Sequence, residues 1–206
     1  MTKAKNVQEY IVQQQERIAA NPTCGTSHYN LAVALIGLKK YDEAEKELFN
    51  SLECSPTLVE AYAQLGGICM QNGDYDGCMH YNQQAVKIRK NFAEGYGNIG
   101  FIYLQKGNVE EAIKFLEKAV SINPNFIQAY ATLANAYLMQ GLIDKSIQTN
   151  LQVLEIESNF AVAHNNLSIA YLEKKEYDLA RKHCNKAISL GYKVPDEIIA
   201  ELNSVD

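Results

Sequence analysis

Apolar and polar positions follow a helical rhythm along this chain, interrupted at regular intervals. The stretch from Ala93 to Phe126 shows the pattern most clearly. Tyr96, Ile99, Gly100 and Tyr103 fall three, four and seven residues apart, on one face of a helix. Gly107-Asn108 breaks the run, because glycine readily enters the positive-φ geometry of a turn. Ala112, Leu116, Ala119 and Val120 then share a second apolar face. It stops at Asn123-Pro124, since proline disfavours helical geometry in the residue before it. The stretch predicts two antiparallel helices of roughly equal length.

Near-copies lie on both sides. Five 34-residue units run without insertion: Gly25–Leu58, Val59–Phe92, Ala93–Phe126, Ile127–Phe160 and Ala161–Val194. Ahead of them, residues 1–24 hold an amphipathic helix over Val7–Ala20. It ends at Asn21-Pro22 as the second helix of the central unit ends at Asn123-Pro124. It reads as a lone second helix covering the first unit, a cover that terminal repeats need. Behind them, Gly191 suits a left-handed helix end. Pro195 then opens a short helix in residues 195–206, with Asp196 and Glu197 near its positive end. Ile198, Ile199 and Leu202 would face the last unit. The prediction is all-α: about eleven helices with terminal caps, forming one continuous solenoid domain.

A constant period of 34 with a helix–turn–helix in each unit resembles the tetratricopeptide repeat (TPR) family, over about 170 residues. Many positions agree in phase. The large residue early in the first helix is Tyr62, Tyr96 and Tyr130, with His28 and His164 in the outer units. The Leu-small pair is Leu31-Ala32, Leu65-Gly66, Ile99-Gly100, Leu133-Ala134 and Leu167-Ser168. The following tyrosine is kept as Tyr103, Tyr137 and Tyr171 but replaced by Leu35 and Cys69. The small residue of the second helix is Ala44, Cys78, Ala112, Ser146 and Ala180. The resemblance implies a right-handed superhelix whose first helices line a concave groove. Two departures carry expectations. Lys90 and Ser158 replace the usual proline, so the second and fourth units should run into the next with less of a break. Asn82 and Asn150 replace a normally apolar residue, which marks either a wetter part of the interface, the favoured reading, or the two weakest joints of the stack.

Composition narrows the function. The net charge of −5 and the 16 Lys and three Arg, scattered among carboxylates, disfavour nucleic-acid binding. No apolar run approaches the roughly 18 residues of a membrane span, and the first residues lack a signal-peptide core. A soluble cytoplasmic protein is expected. Five cysteines, an odd number without CxxC spacing, argue against a disulfide framework or a zinc knuckle. Cys69 and Cys78 should face each other within one helix pair, and are read as reduced packing residues.

No glycine-rich phosphate loop, HExxH or GxSxG motif is present, so no enzyme and no cofactor are predicted. His28, His80, His164 and His183 fall at different repeat positions and read as core or rim side chains rather than metal ligands. The resemblance points instead to the groove. One row is Asn30, Gln64, Asn98, Thr132 and Asn166, mostly amides that complement peptide C=O and N–H groups. It is similar to the asparagine ladder of eukaryotic O-linked N-acetylglucosamine transferases, with Gln64 and Thr132 as departures. A second row includes Val33, Phe101, Asn135 and Ile169, and a third Tyr29 and Asn165; Glu60, Glu94 and Gln128 edge the surface. The carboxylate clamp of TPR co-chaperones would fall on Tyr29, Val33, Gln64, Glu94 and Asn98, which include no cation. Acidic chaperone tails are therefore excluded. The expected partner is an extended or helical protein segment, neutral to basic because Glu60 and Glu94 have no groove cation near them. The alternative is a self-assembling structural subunit that joins end to end or through a terminal helix.

Overall fold

The computed structural model describes residues 6–204. Among them are twelve helices and no strand. Compactness divides the chain into two units, residues 1–98 and 99–206, and each is described by itself.

The first unit holds α1 (Val7–Ala20), α2 (Gly25–Gly37), α3 (Tyr41–Cys54), α4 (Val59–Gln71), α5 (Tyr75–Ile88) and the start of α6 (Ala93–Gln105). Asn6 caps α1 by accepting from the Glu9 N–H at 2.9 Å, and Asp74 caps α5 by accepting from Gly77. Its main core joins Leu31, Ala32 and Leu35 of α2 to Ala44 and Leu48 of α3 and to Leu65 and Ile68 of α4. Ile11 of α1 seals the front of that cluster. Leu48 and Leu65 are fully buried, which is worth on the order of 2–3 kcal/mol each.

The second unit continues with α7 (Val109–Ile122), α8 (Ile127–Met139), α9 (Ile143–Ile156), α10 (Ala161–Glu173), α11 (Tyr177–Ser189) and α12 (Asp196–Asn203). Leu116, Ala134, Val153, Leu167 and Ala170 are its buried centre. Leu202, Ile198 and Ile199 of α12 pack with Leu172, Ala180 and Cys184, as their spacing predicts.

First helices begin at Gly25, Val59, Ala93, Ile127 and Ala161, the starts read from the sequence. The two helices of a pair approach closely because the facing residue is small. A Cβ on Gly100 would lie 2.6 Å from Leu116 Cγ and 3.1 Å from the Ala112 carbonyl oxygen. Between paired helices the chain turns through one left-handed residue. Gly73, Gly107 and Gly141 take it at φ 75, 76 and 78°, while Lys39 and Lys175 take it at 60 and 61°. Gly191 ends α11 the same way, at φ 82°.

One expectation fails here. Replacing proline by Lys90 and Ser158 does not smooth the passage between pairs. Residues 89–92 and 157–160 separate their helices just as 55–58 and 123–126 do. The break comes instead where the C-cap residue leaves helical geometry: Arg89 at φ −122°, ψ 97° and Glu157 at φ −136°, ψ 89° each still donate the last helical N–H, to Ala85 and Val153, without proline.

Candidate functional site

The predicted groove residues are described within their own units. In the first, Tyr29, Asn30, Val33, Glu60, Gln64, Glu94 and Asn98 lie on α2, α4 and α6, and none is fully buried. Helical spacing sets them beside the packing positions. Burial pushes the Tyr29 hydroxyl up, a hydrogen bond with Gln64 acts in the opposite sense, and the Glu60 charge adds to the rise. Glu60 itself is paired. Arg89 Nη1 donates to Glu60 Oε1 at 2.7 Å, with its guanidinium 5.7 Å from the centre of the Phe92 ring. Burial would raise the Glu60 carboxyl, but the hydrogen bond and charge of Arg89 outweigh it and hold the group below its ordinary range. The expectation of a cation-free edge is thus corrected: Arg89, at the far end of α5, folds back across the turn onto α4.

Asn82 and Asn150 overturn the wet-interface expectation. Both are completely buried. In the first unit Asn82 Nδ2 donates to the Cys78 carbonyl at 2.8 Å, and Asn82 Oδ1 accepts from Asn98 Nδ2 at 2.9 Å. Two repeats later, inside the second unit, Asn150 Nδ2 donates to the Ser146 carbonyl at 3.0 Å and Asn150 Oδ1 accepts from Asn166 Nδ2 at 3.4 Å. A second-helix amide thus holds the groove-row amide of the following first helix. Satisfied polar pairs of this kind are compatible with a dry interface.

In the second unit Gln128 and Asn135 are exposed, and Phe101, Thr132 and Ile169 are half-buried. Thr132 donates its hydroxyl to the Gln128 carbonyl at 2.8 Å. Asn165 and Asn166 sit deeper, 5% and 6% exposed. Asn166 Nδ2 also donates to the Ala131 carbonyl of α8 at 3.3 Å, while Asn165 Oδ1 has no partner.

The histidines are structural in their contacts. His28 bridges Glu47 at 2.6 Å and the Pro22 carbonyl at 3.0 Å. At the equivalent place His164 meets His183, Nδ1 to Nδ1 at 2.9 Å, and its Nε2 donates to the Ser158 carbonyl at 3.2 Å. That donation makes His164 Nδ1 the acceptor and His183 Nδ1 the donor. Burial first, then electrostatic interaction with the neighbouring His164 and Lys182, pushes His183 down to about 4. Cys69 and Cys78 are buried free thiols, and burial with the nearby Cys69 raises Cys78 to about 11. Among the described residues no group of three His, Cys, Asp or Glu side chains could hold a metal, and no helix is long and apolar enough to cross a membrane.

Sequence reasoning missed the part that α1 plays beside the predicted residues of the first unit. A cleft of about 590 Å³ lies between α1 and α2, bordered by Val7, Tyr10, Tyr29, Asn30, Val33 and Gly37. Tyr29, Asn30 and Val33 are the predicted residues; Val7 and Tyr10 come from the helix read only as a cover. The available signal was the second apolar edge of α1, exposed at Val7.

Family models described as TPR repeat or tetratricopeptide repeat match residues 15–58, 59–92, 100–141 and 161–190. No curated protein matches the sequence. Among solved structures, MamA is 24% identical, with 78% of this chain and 94% of MamA covered and a TM-score of 0.68. YrrB, described as a TPR protein with an unusual peptide-binding site, is 19% identical over 86% of this chain and 91% of its own, with a TM-score of 0.69. The match to a chain of the APC/C hetero-tetramer Cut9-Hcn1 spans 98% of this chain but 40% of that one, at 19% identity and a TM-score of 0.82. At these identities the likeness is one of fold.

Proposed function

The chain belongs to the tetratricopeptide repeat family, and on that premise we propose that it is a non-enzymatic protein-interaction scaffold. It takes a peptide segment of a partner protein on the surface of its first helices. The observation that carries this reading is the combination of amide and apolar side chains along that surface in each unit. Tyr29, Asn30, Val33, Gln64 and Asn98 provide it in the first, Phe101, Thr132, Asn135 and Ile169 in the second. Amide groups at repeat spacing meet the C=O and N–H groups of a main chain without reading its side chains. The peptide-binding site ascribed to YrrB, a protein of the same fold, supports the same use here.

The self-assembly alternative has less support. Ile11 of α1 and Leu202 of α12 each lie within a buried cluster of the adjoining repeat, so both terminal helices cover apolar faces. With Glu60 paired to Arg89, the exposed Glu94 is the carboxylate left to favour a basic residue in the ligand. That contribution is small and screened by salt.

Capture of partners from native lysate supplies the ligand, and titration tests the site. Asn98→Ala and Phe101→Ala should weaken binding a few-fold to about tenfold, as expected for contacts worth about 0.5–1.5 kcal/mol each. Lys114→Ala, on the exposed side of α7, should leave it unchanged. Equal losses in all three would place the ligand elsewhere and end this reading.

A further inference from the structure

The five cysteines fall into two groups. Cys69, Cys78 and Cys184 are buried, whereas Cys24 and Cys54 are partly open to solvent. Those two stand 30 residues apart, and the repeat carries the same pair of positions forward as Leu58 with Ile88, Phe92 with Ile122, Phe126 with Ile156 and Phe160 with Leu190. Every later repeat thus has two large apolar residues where the first has two thiols. Exchanging both for cysteine gives up apolar contact at both, so packing does not account for the pair.

The fold brings the two thiols to one place. Cys24 is the N-cap residue of α2, and Cys54 is the last residue of α3. The Cys54 sulfur lies 3.8 Å from the carbonyl oxygen of Pro22, two residues before Cys24. One residue beyond each cysteine the backbones touch: a Cβ on Gly25 would lie 2.8 Å from Ser55 Cβ, and Ser51 Oγ donates to the Gly25 carbonyl at 2.8 Å. A disulfide joins Cα atoms roughly 4.4–6.8 Å apart, a separation that touching backbones provide. Cys24 is also prepared to react. Ser27 Oγ donates to its Sγ at 3.2 Å. That bond first, then the Ser27 and Thr26 N–H groups and the charge of Arg17, hold the thiol below its ordinary range against the effect of burial. Burial pushes the three enclosed thiols the other way. The thiolate is the form that oxidants attack, so Cys24 is the sulfur to react first.

We propose that Cys24 and Cys54 are a modification site, a thiol pair that hydroperoxides close to a disulfide between α2 and α3, with Ser27 positioning the Cys24 sulfur. In the first step the Cys24 thiolate attacks hydrogen peroxide. An S–O bond forms, the O–O bond breaks, hydroxide leaves, and the sulfur is oxidised to sulfenic acid. In the second step the Cys54 sulfur gives up its proton and attacks the Cys24 sulfur. The S–S bond forms, the S–O bond breaks, and the oxygen departs with that proton as water. Two thiols lose two electrons and one peroxide is reduced to two waters. The bond ties the start of the first repeat to its own second helix, and a dithiol reductant opens it again.

Hydrogen peroxide itself is the probe. The 206-residue protein is treated at neutral pH, blocked with iodoacetamide in urea, and cut with trypsin and Glu-C, which part Cys54 (residues 54–60) from Cys69 and Cys78. Mass spectrometry should find the Cys24 peptide joined to residues 54–60, released by dithiothreitol, with Cys69, Cys78 and Cys184 still alkylated. In Cys54→Ser the bond cannot close, so the dimedone adduct of Cys24 sulfenic acid should rise about tenfold over the parent. Ser27→Ala should slow Cys24 oxidation about threefold to tenfold at neutral pH and leave it unchanged above about pH 10, where the thiol is ionised in both proteins. Both replacements are small, so the fold should survive them. A link from Cys24 to a second chain, a Cys69–Cys78 link that forms first, or passage of Cys24 straight to sulfinic acid overturns the pair. So does a parent that stays reduced while free cysteine in the same solution is oxidised. An unchanged rate in Ser27→Ala at neutral pH, or equal slowing at both pH values, overturns the positioning role of Ser27.

Discussion

The buried amide pair of the first unit gives the sharpest energetic test of the packing. In Asn82→Ala, Asn98 Nδ2 loses its 2.9 Å acceptor, worth about 1 kcal/mol. The side chain was completely buried, and the neighbouring Gly66 has no side chain to fill the gap: a Cβ there would lie 2.5 Å from Asn82 Nδ2. A void of about 30 Å³ adds roughly 0.7 kcal/mol. The expected loss is therefore about 2 kcal/mol. Asn82→Leu should cost less than Asn82→Ala, about 1 kcal/mol, because leucine fills the void while Asn98 Nδ2 still loses its acceptor. The chain itself uses Leu48 and Leu116 at the same repeat position, both fully buried, and Gly100 makes room for Leu116 as Gly66 does for Asn82. The assay is a double-mutant cycle: equilibrium urea unfolding of the parent, Asn82→Ala, Asn98→Ala and the double variant. A coupling of about 1 kcal/mol is expected. Strict additivity within about 0.3 kcal/mol would mean that the amides do not pair, and the wet interface expected from sequence would be reinstated.

Four further outcomes follow from the structure. Ala112→Glu should lower the melting temperature sharply, since it forces an unpaired carboxylate and extra volume into a site with no exposure, at a cost of several kcal/mol; unchanged circular-dichroism melting would refute the packing register. His183 is held at about 4, below its ordinary 6.5, so the unfolded chain binds its proton first as pH falls. Its contribution is complete above pH 6.5 and is lost progressively toward pH 4, by on the order of 3 kcal/mol, and His183→Gln should flatten that part of the stability profile. Lys39→Gly should stabilise the protein by up to about 1 kcal/mol, because Lys39 holds φ 60° where the equivalent Gly73 and Gly107 are unstrained; a loss of stability would mean that the lysine side chain outweighs the backbone term. Hydrogen bonds from Ser27 lower the Cys24 thiol whereas burial raises Cys69, Cys78 and Cys184, so iodoacetamide should label Cys24 first by mass spectrometry.

The helices and their pairing were legible in the chain alone, because period and punctuation are local. Gly107 turns because glycine tolerates positive φ, and α8 starts at Ile127 because an apolar face resumes there after Asn123-Pro124. Small residues at Ala112 and Gly100 announced close helix contact for the same reason, since volume is a property of one residue at a time. The polar residues were legible only as candidates. Whether an amide faces solvent or another amide depends on what lies sixteen residues away and across a helix pair, and the sequence does not carry that distance. It took the packed helices to set Asn98 and Asn166 against Asn82 and Asn150, and to bring Arg89 onto Glu60. Packing likewise made α1, read as a simple cover, one wall of a cleft. A helix has two edges, and hydrophobic period alone does not say which of them a neighbour will cover.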